Sequence, residues 1–388
     1  MKKFTRSSLS LALLGLASVA HAQSSVTLYG VLDESIQYAH NVTTPGDPLT
    51  NNNQFAMFGG NMSGNRWGLK GAEDLGGGLQ AIFQLEAGFN LSNGTSQQGG
   101  RMFGRQAFVG LQSNQFGTVT LGRQYDPVVD LVQGITADNY WGSTFTTPGD
   151  VDNNDNSSRT NNSIKYASPT YAGFQFEAMY AFGGVAGSTD SGQTWSGAAA
   201  YNNGPFSLAA GYIRMENGNT LASRTADGSV RWSTGATSDA TFDSTINQPF
   251  ASAKSVSIAS VAAQYVIGPI TTGLRYSNAM YKPDGFSTFG ATERFNVGAG
   301  FVNWQVTPAA LLGLGYTFTH GSGNGPSATY NQVSLGADYN LSKRTDVYLV
   351  GAYQKASGTG VTATVADYGY NSNNTTQEIL SLGIRHKF

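Results

Sequence analysis

Residues 79–90 read Leu79-Gln80-Ala81-Ile82-Phe83-Gln84-Leu85-Glu86-Ala87-Gly88-Phe89-Asn90. Leu79, Ala81, Phe83, Leu85, Ala87 and Phe89 hold one phase, and Gln80, Ile82, Gln84, Glu86, Gly88 and Asn90 the other. A period of two is the mark of a β-strand, whose successive side chains leave opposite faces of the sheet. The same pattern recurs in both directions along the chain. Leu28, Gly30 and Leu32 alternate with Tyr29, Val31 and Asp33. Phe174, Phe176, Ala178 and Tyr180 alternate with Gln175, Glu177 and Met179. Val333, Leu335, Ala337 and Tyr339 alternate with Gln332, Ser334, Gly336 and Asp338. Leu380, Leu382, Ile384, His386 and Phe388 end the chain in the same way.

Two kinds of connection separate these segments. Some are tight and rich in Gly or Pro, such as Glu73–Gly78, Ser113–Gln115, Asn203–Pro205, Gly268-Pro269 and Leu341–Lys343; others are long and polar, at 39–63, 126–157, 215–255 and 357–374. Between them the pattern predicts sixteen strands, near 25–38, 64–72, 79–90, 101–112, 116–125, 158–168, 173–183, 193–202, 206–214, 256–266, 270–280, 291–304, 309–320, 329–340, 345–356 and 375–388. Amphipathic strands of about ten residues, with short turns at one end and long loops at the other, predict an all-β, 16-stranded antiparallel transmembrane β-barrel. A bilayer requires every backbone N–H and C=O to be paired, so strands cross it only as a closed barrel. The apolar phase then faces lipid and the polar phase a lumen, and sixteen strands leave a water-filled channel. A soluble β-sandwich array or a β-helical adhesin is the weaker alternative, because neither needs the regular alternation of turn lengths.

Composition agrees. The 388 residues include 50 Gly, 19 Tyr, 21 Phe and no Cys, and only 12% are charged. The aromatic content excludes a disordered chain, and the lack of Cys excludes disulfide scaffolds and cysteine metal sites. No apolar run reaches the roughly 20 residues of a membrane helix, and a formal net charge of −2 does not suit a nucleic-acid binder.

Lys2, Lys3 and Arg6, an apolar run from Leu11 to Ala20, and Ala20-His21-Ala22 predict a secretory signal peptide over 1–22, with a barrel domain over 23–388. Cleavage removes three of the 22 basic residues and none of the 24 acidic ones, leaving a net charge of about −5. The absence of Cys suits passage through an oxidising compartment.

Several motifs add a resemblance. Ser24-Ser25-Val26-Thr27-Leu28-Tyr29-Gly30, Arg66-Trp67-Gly68-Leu69-Lys70-Gly71, Glu73–Gly78, Arg105-Gln106-Ala107-Phe108-Val109-Gly110-Leu111, Phe116–Arg123, Asn162–Tyr166 and Leu382–Phe388 follow in order along the mature chain. Together they resemble the general trimeric porins of Gram-negative outer membranes, most like the β-proteobacterial branch. The resemblance implies a homotrimer in the outer membrane, among its lipid and lipopolysaccharide, with passive diffusion of ions and small hydrophilic solutes. It also implies a third long loop, here about 126–157, folded into the barrel. Phe388 looks like the terminal signal read by the outer-membrane assembly machinery. The loop lacks the Pro-Glu-Phe-Gly-Gly tip of enterobacterial members.

Strand parity assigns the charges. Trp67 and Leu69 face lipid, so Arg66 and Lys70 face the lumen; Phe108 is assigned outward, which turns Arg105 inward; Ile164 and Tyr166 outward turn Arg159 and Lys165 inward. Arg275 and Arg294 are also assigned to lumenal phases. Loop 3 offers Asp126, Asp130, Asp138, Asp150, Asp152 and Asp155 opposite this basic ladder. Acids facing bases across a narrow wet gap form an ion-selective constriction, and the wall arginines favour anions weakly. Asp150–Asp155 has a faint likeness to a calcium loop, but a solvated loop explains it better, and no metal or cofactor is expected. Arg123 and Glu34 fall on outward phases, where a bare Arg in lipid costs about 2–4 kcal/mol; a neighbouring subunit is expected to cover both.

An enzyme is not supported. The mature chain holds only His40, His320 and His386, with no G-x-S-x-G elbow. A substrate-specific sugar or anion channel is the closer rival. A sugar pore would need a lumenal aromatic slide, for which Tyr29, Tyr140 and Trp141 are the few candidates; a phosphate pore would not carry six opposing loop acids.

Overall fold

The computed structural model describes residues 25–189, 191–218, 232, 242, 244–366 and 368–388. The signal-peptide reading of 1–22 lies outside them.

The strands are β1 (Ser25–Thr44), β2 (Asp47–Gly59), β3 (Arg66–Gly76), β4 (Leu79–Gly88), β5 (Gln106–Ser113), β6 (Gly117–Gln124), β7 (Thr160–Ala167), β8 (Phe174–Ala181), β9 (Thr194–Asn203), β10 (Phe206–Glu216), β11 (Ser255–Ile267), β12 (Ile270–Lys282), β13 (Glu293–Thr307), β14 (Ala310–Gly323), β15 (Gly325–Asn340), β16 (Thr345–Ser357) and β17 (Thr376–Lys387). β2 and β3 lie end to end beside β1: Glu34–Thr44 pairs with β2 and Ser25–Val31 with β3. They form one wall position broken at 60–65, so the seventeen segments make a sixteen-position antiparallel wall. β1 also pairs with β17, and Gly30 and Phe388 exchange two backbone hydrogen bonds of 3.1 Å, which closes the ring. No helix among the described residues is long and apolar enough to cross a membrane; the strands do so, in the closed ladder that a bilayer requires of backbone groups.

The break at 60–65 has a visible cause. The Asp33 carboxylate accepts the Met62 and Ser63 amides, both at 2.8 Å, and the Asn65 side chain bridges the Asp33 N–H and C=O. Side chains thus replace the missing ladder bonds.

Parity holds around most of the wall. Leu28, Ile36, Val109, Leu121, Leu274, Leu314, Leu335 and Leu382 are exposed on the outside, while Gln37, Gln124, Gln332, Gln354 and Gln377 are fully buried on the inside. In the outer half of β10–β13, however, the inward phase is also apolar. Ile213, Met215, Val256, Ile258, Tyr281, Phe295 and Val297 pack under Val151, Ile246, Phe250 and Phe289 of the long loops. The lumen is filled there and stays open along the opposite wall.

The stretch 39–63, expected as a loop, is mostly a hairpin: β1 runs to Thr44, turns at Pro45-Gly46 with Gly46 at φ 86°, and returns as β2. Pro followed by a positive-φ Gly favours such a turn. Similarly β14 and β15 extend until only Asn324 separates them.

Candidate functional site

The third long loop lies between β6 and β7 and folds into the lumen as expected. It carries two short helices, α1 (Pro127–Leu131) and α2 (Asp138–Trp141). Asp126 caps α1, its Oδ1 accepting the Val128 N–H at 2.8 Å, a strongly favoured use of Asp at a helix start. The loop is fixed to the far wall by Trp141, which is 0% exposed and lies over Gly313 and Gly336, a register pair of β14 and β15. The Trp141 indole N–H donates to Asn303 at 2.7 Å, Phe145 covers Gly315, and the Tyr140 hydroxyl donates to Gln264 at 2.8 Å. Gln332 donates to the Thr144 and Thr146 carbonyls, and Arg275 forms a buried ion pair with Asp152. On the near wall the Ser143 N–H donates to the Asn61 carbonyl at 3.0 Å.

Between that loop and β3–β7 an open cavity of about 760 Å3 remains, lined by Arg66, Arg105 and Arg159 on the wall and by Asp138, Ser143 and Asp155 on the loop. The three arginines converge on this cavity. Arg105 reaches the lumen for a reason other than parity, though. Phe108 pairs with Gln84 on the inward phase, and Val109, not Phe108, is exposed outside. Arg105 precedes β5, where its own N–H joins Gln106 opposite Glu86. That extra residue reverses its side chain, as a β-bulge does.

Glu86 is the site residue that charge counting overlooked. It stands on the inward phase of the decisive stretch, so parity alone could have found it. Its Oε1 accepts from Arg105 Nε at 2.8 Å, its Oε2 accepts from the Tyr29 hydroxyl at 2.9 Å, and Arg66 Nε lies 3.9 Å away. Tyr125 lies beneath the Arg105 and Arg159 guanidinium groups at 5.8 and 5.9 Å, within cation–π range. Arg101, not singled out by the sequence, lines the same cavity and donates to the Gln98 carbonyl.

Other expected members are placed elsewhere. Lys165 contacts Asp130 and donates to the Tyr125 carbonyl, so this base and acid neutralise each other at the wall. Lys70 stands exposed 5.4 Å from the Tyr29 ring, outside the cavity lining. Asp126 is buried as a helix cap and does not face the pore. Asp150 closes the turn 150–157 by accepting from the Asp155 and Ser157 N–H groups, and Asp152 faces Arg275. The turn therefore uses these carboxylates internally, and no group of three His, Asp or Glu among the described residues could hold a metal ion. Arg294 is outward, sharing a phase with Val302 and Trp304, because Glu293 and Phe295 take the inward positions.

Arg123 does fall on the outward phase, opposite Ala107, but its own chain covers it: Nε donates to the Gly104 carbonyl at 2.7 Å and Nη1 to Asn161 at 2.6 Å. No neighbouring subunit is needed to explain its burial. Glu34 faces outward; Oε1 accepts from Ser92 at 2.5 Å, and Oε2 is buried without a partner in this chain.

Burial raises the loop carboxyls. Asp126 is pushed up to about 6. Asp138 and Asp150 are pushed well above the carboxylate range by burial and then by the charge of Asp155, whose own carboxyl is raised by burial. Carboxyls this close cannot all ionise at once.

A closed barrel with an apolar exterior, a charged lumen and an inward loop defines a water-filled transmembrane channel. The chain belongs to the Gram-negative porin family, whose model matches residues 8–359. It is 34% identical over 379 residues to an outer membrane porin protein of Bordetella pertussis, covering 88% of this chain and 92% of that one. It is 35% identical over 222 residues to outer membrane porin protein 32 of Delftia acidovorans, covering 54% and 60%. Among solved structures it superposes on an anion-selective porin from Comamonas acidovorans with a TM-score of 0.72 at 24% identity, covering 94% of this chain and all of that one. The protein is an outer-membrane porin that passes solutes through its lumen by diffusion, and it is not an enzyme.

Proposed function

We propose that this pore passes small hydrophilic solutes without a dedicated binding site and favours anions. The observation that carries the reading is the charge lining the constriction: Arg66, Arg101, Arg105 and Arg159 against Glu86, Asp138 and Asp155. Four guanidinium groups outnumber three carboxyls there, so the lining is net positive. A ring of one sign in a narrow water-filled passage selects permeant ions of the other. The few inward aromatics support a general pore over a sugar channel: Tyr29 is bonded to Glu86, and Tyr140 and Trp141 fasten the loop to the wall.

The pore works as a homotrimer, with Glu34 Oε2, which has no partner in this chain, at the subunit contact. It is exported by its 1–22 leader, inserted by outer-membrane assembly machinery that reads Phe388, and surrounded by lipopolysaccharide.

The test is the reversal potential of the reconstituted pore across a KCl gradient. The wild type is expected to prefer chloride, and Arg66→Ala with Arg105→Ala together is expected to move the potential toward cations. A double variant with the wild-type potential removes both residues from the selective constriction.

A further inference from the structure

Part of the long connection between β16 and β17 lies inside the barrel, where Ala363, Thr364, Val365 and Ala366 are all buried. Three fully buried glutamines receive it. They face one another on adjacent strands: Gln332 of β15 is the register partner of Gln354 of β16, and Gln354 that of Gln377 of β17. A primary amide offers a donor side and an acceptor side, as a peptide group does. Gln354 takes both backbone groups of Thr364, its Oε1 accepting the N–H at 2.7 Å and its Nε2 donating to the C=O at 2.6 Å. Gln377 Oε1 accepts the Val365 N–H at 2.8 Å, and Gln332 Oε1 accepts the Ala366 N–H at 2.8 Å. Three consecutive N–H groups are thus held by three adjacent strands, and the segment forms a strap laid across the inner wall. Ala366 sits at φ 47°, a left-handed conformation that a residue with a Cβ keeps only where its surroundings impose it.

The strap ends on loop 3. The Gly149 N–H donates to the Ala366 carbonyl at 2.5 Å, and Gln332, which holds Ala366, also donates to the Thr144 and Thr146 carbonyls. The Tyr368 hydroxyl donates to Asn61 Oδ1 at 2.7 Å and so accepts from the Thr144 hydroxyl at 2.6 Å. Ser143, next to Thr144, lines the open cavity. So does Phe58, against which the Tyr368 ring packs edge-on at 5.0 Å. None of Thr364, Val365, Ala366 and Tyr368 lines that cavity itself. They touch the residues on both of its sides.

We propose that this strap sets the size limit of the pore, with Gln354 and Tyr368 as positioning residues that hold limb 144–149 of loop 3 in place. The inference rests on the diffusion reading of the lumen and goes beyond it, because the sieve is then built from two inward segments rather than one. With the strap released into the outer vestibule, Gly149 and Thr144 lose their partners in it, and the passage widens with every lining residue unchanged.

Swelling of liposomes that hold the purified porin, in isotonic arabinose or raffinose, reads the size limit with neutral solutes that the lining charges do not sort. Gln354→Met keeps the length of the side chain and removes both bonds to Thr364. Tyr368→Phe keeps the ring against Phe58 and removes only the hydroxyl. Each is expected to raise the raffinose-to-arabinose rate ratio several-fold over the wild type. Chymotrypsin cleavage after Tyr370 is expected to become about tenfold faster in Gln354→Met, because loss of two buried hydrogen bonds enlarges the released population by that order. Heat-dependent gel mobility shows that the barrel is folded, and if Gln354→Met does not fold, Tyr368→Phe alone decides. An unchanged ratio in folded variants overturns the proposal. Faster cleavage with an unchanged ratio does so as well, since it makes the strap a brace and no part of the sieve. Wild-type liposomes that admit neither sugar would instead overturn the diffusion reading itself.

Discussion

Trp141 illustrates how much one side chain decides. Its ring fits because Gly313 and Gly336 face each other on adjacent strands, where any Cβ would overlap the indole, and its N–H finds Asn303. From sequence it was one aromatic in a loop, and only the three-dimensional pairing of two distant glycines gives it a place. Trp141→Ala is expected to weaken loop docking by about 3–5 kcal/mol, the usual effect of emptying a buried aromatic site. Single-channel recordings should show noisier and larger conductance with the barrel still folded; quiet, wild-type currents would mean the other anchors suffice. Parity assigned Arg66, Lys165 and Arg275 to the lumen correctly, since each lies on a regular strand and points inward. Arg159 precedes an irregularity where Asn162 takes φ 52° and the β6–β7 register shifts, so unbroken alternation does not place it. Parity misplaced Phe108 and Arg294 because a one-residue error in strand phase reverses every side chain. It also could not see that Gly104 and Asn161 cover Arg123, because those contacts join segments far apart in sequence.

At the scale of elements, the strands were legible and the loops were not. Each strand declares itself by a period of two, which lipid on one side and water on the other impose. The hairpin extension of β1 and β2 rises where both faces are wet, so Asn and Thr replace the apolar phase and the pattern fades. The third loop has no periodicity at all, and its path is set by scattered contacts such as Gln332 to Thr144 and Thr146. One of these is ionic. The Arg275 and Asp152 side chains are 4% and 0% exposed. Arg275→Met should leave Asp152 buried without its counter-charge, a change of about 3–5 kcal/mol for a broken buried pair. Limited proteolysis would then cut the loop in Arg275→Met while sparing the wild type. Arg275→Met with Asp152→Asn should recover much of the resistance; no recovery would show that the pair is not what holds the loop.

For the whole molecule, the lumen and the loop share one set of carboxyl groups, so acidity should tune both. The apolar plug under β10–β13 fills that side of the lumen, which the sequence hid because those inward residues look like lipid-facing ones. Solutes are left with the arginine side, where Asp138 and Asp155 are the titrating loop groups. Their carboxyls are raised by burial, Asp138 further by the charge of Asp155. A group with a raised folded-state value holds its proton more firmly in the docked loop than in a released one. Docking therefore weakens as pH rises through that value and strengthens as pH falls toward the ordinary carboxylate range. The same protonation removes negative charge from the constriction and leaves Arg66, Arg105 and Arg159 in excess. Lowering the pH from neutral toward the ordinary carboxylate range is thus expected to increase chloride preference in reversal-potential measurements and to quieten loop-dependent current noise together. Asp138→Asn with Asp155→Asn should hold both quantities near their acidic values at either pH. A pore whose selectivity ignores pH in the wild type would place the selective charges outside this cavity.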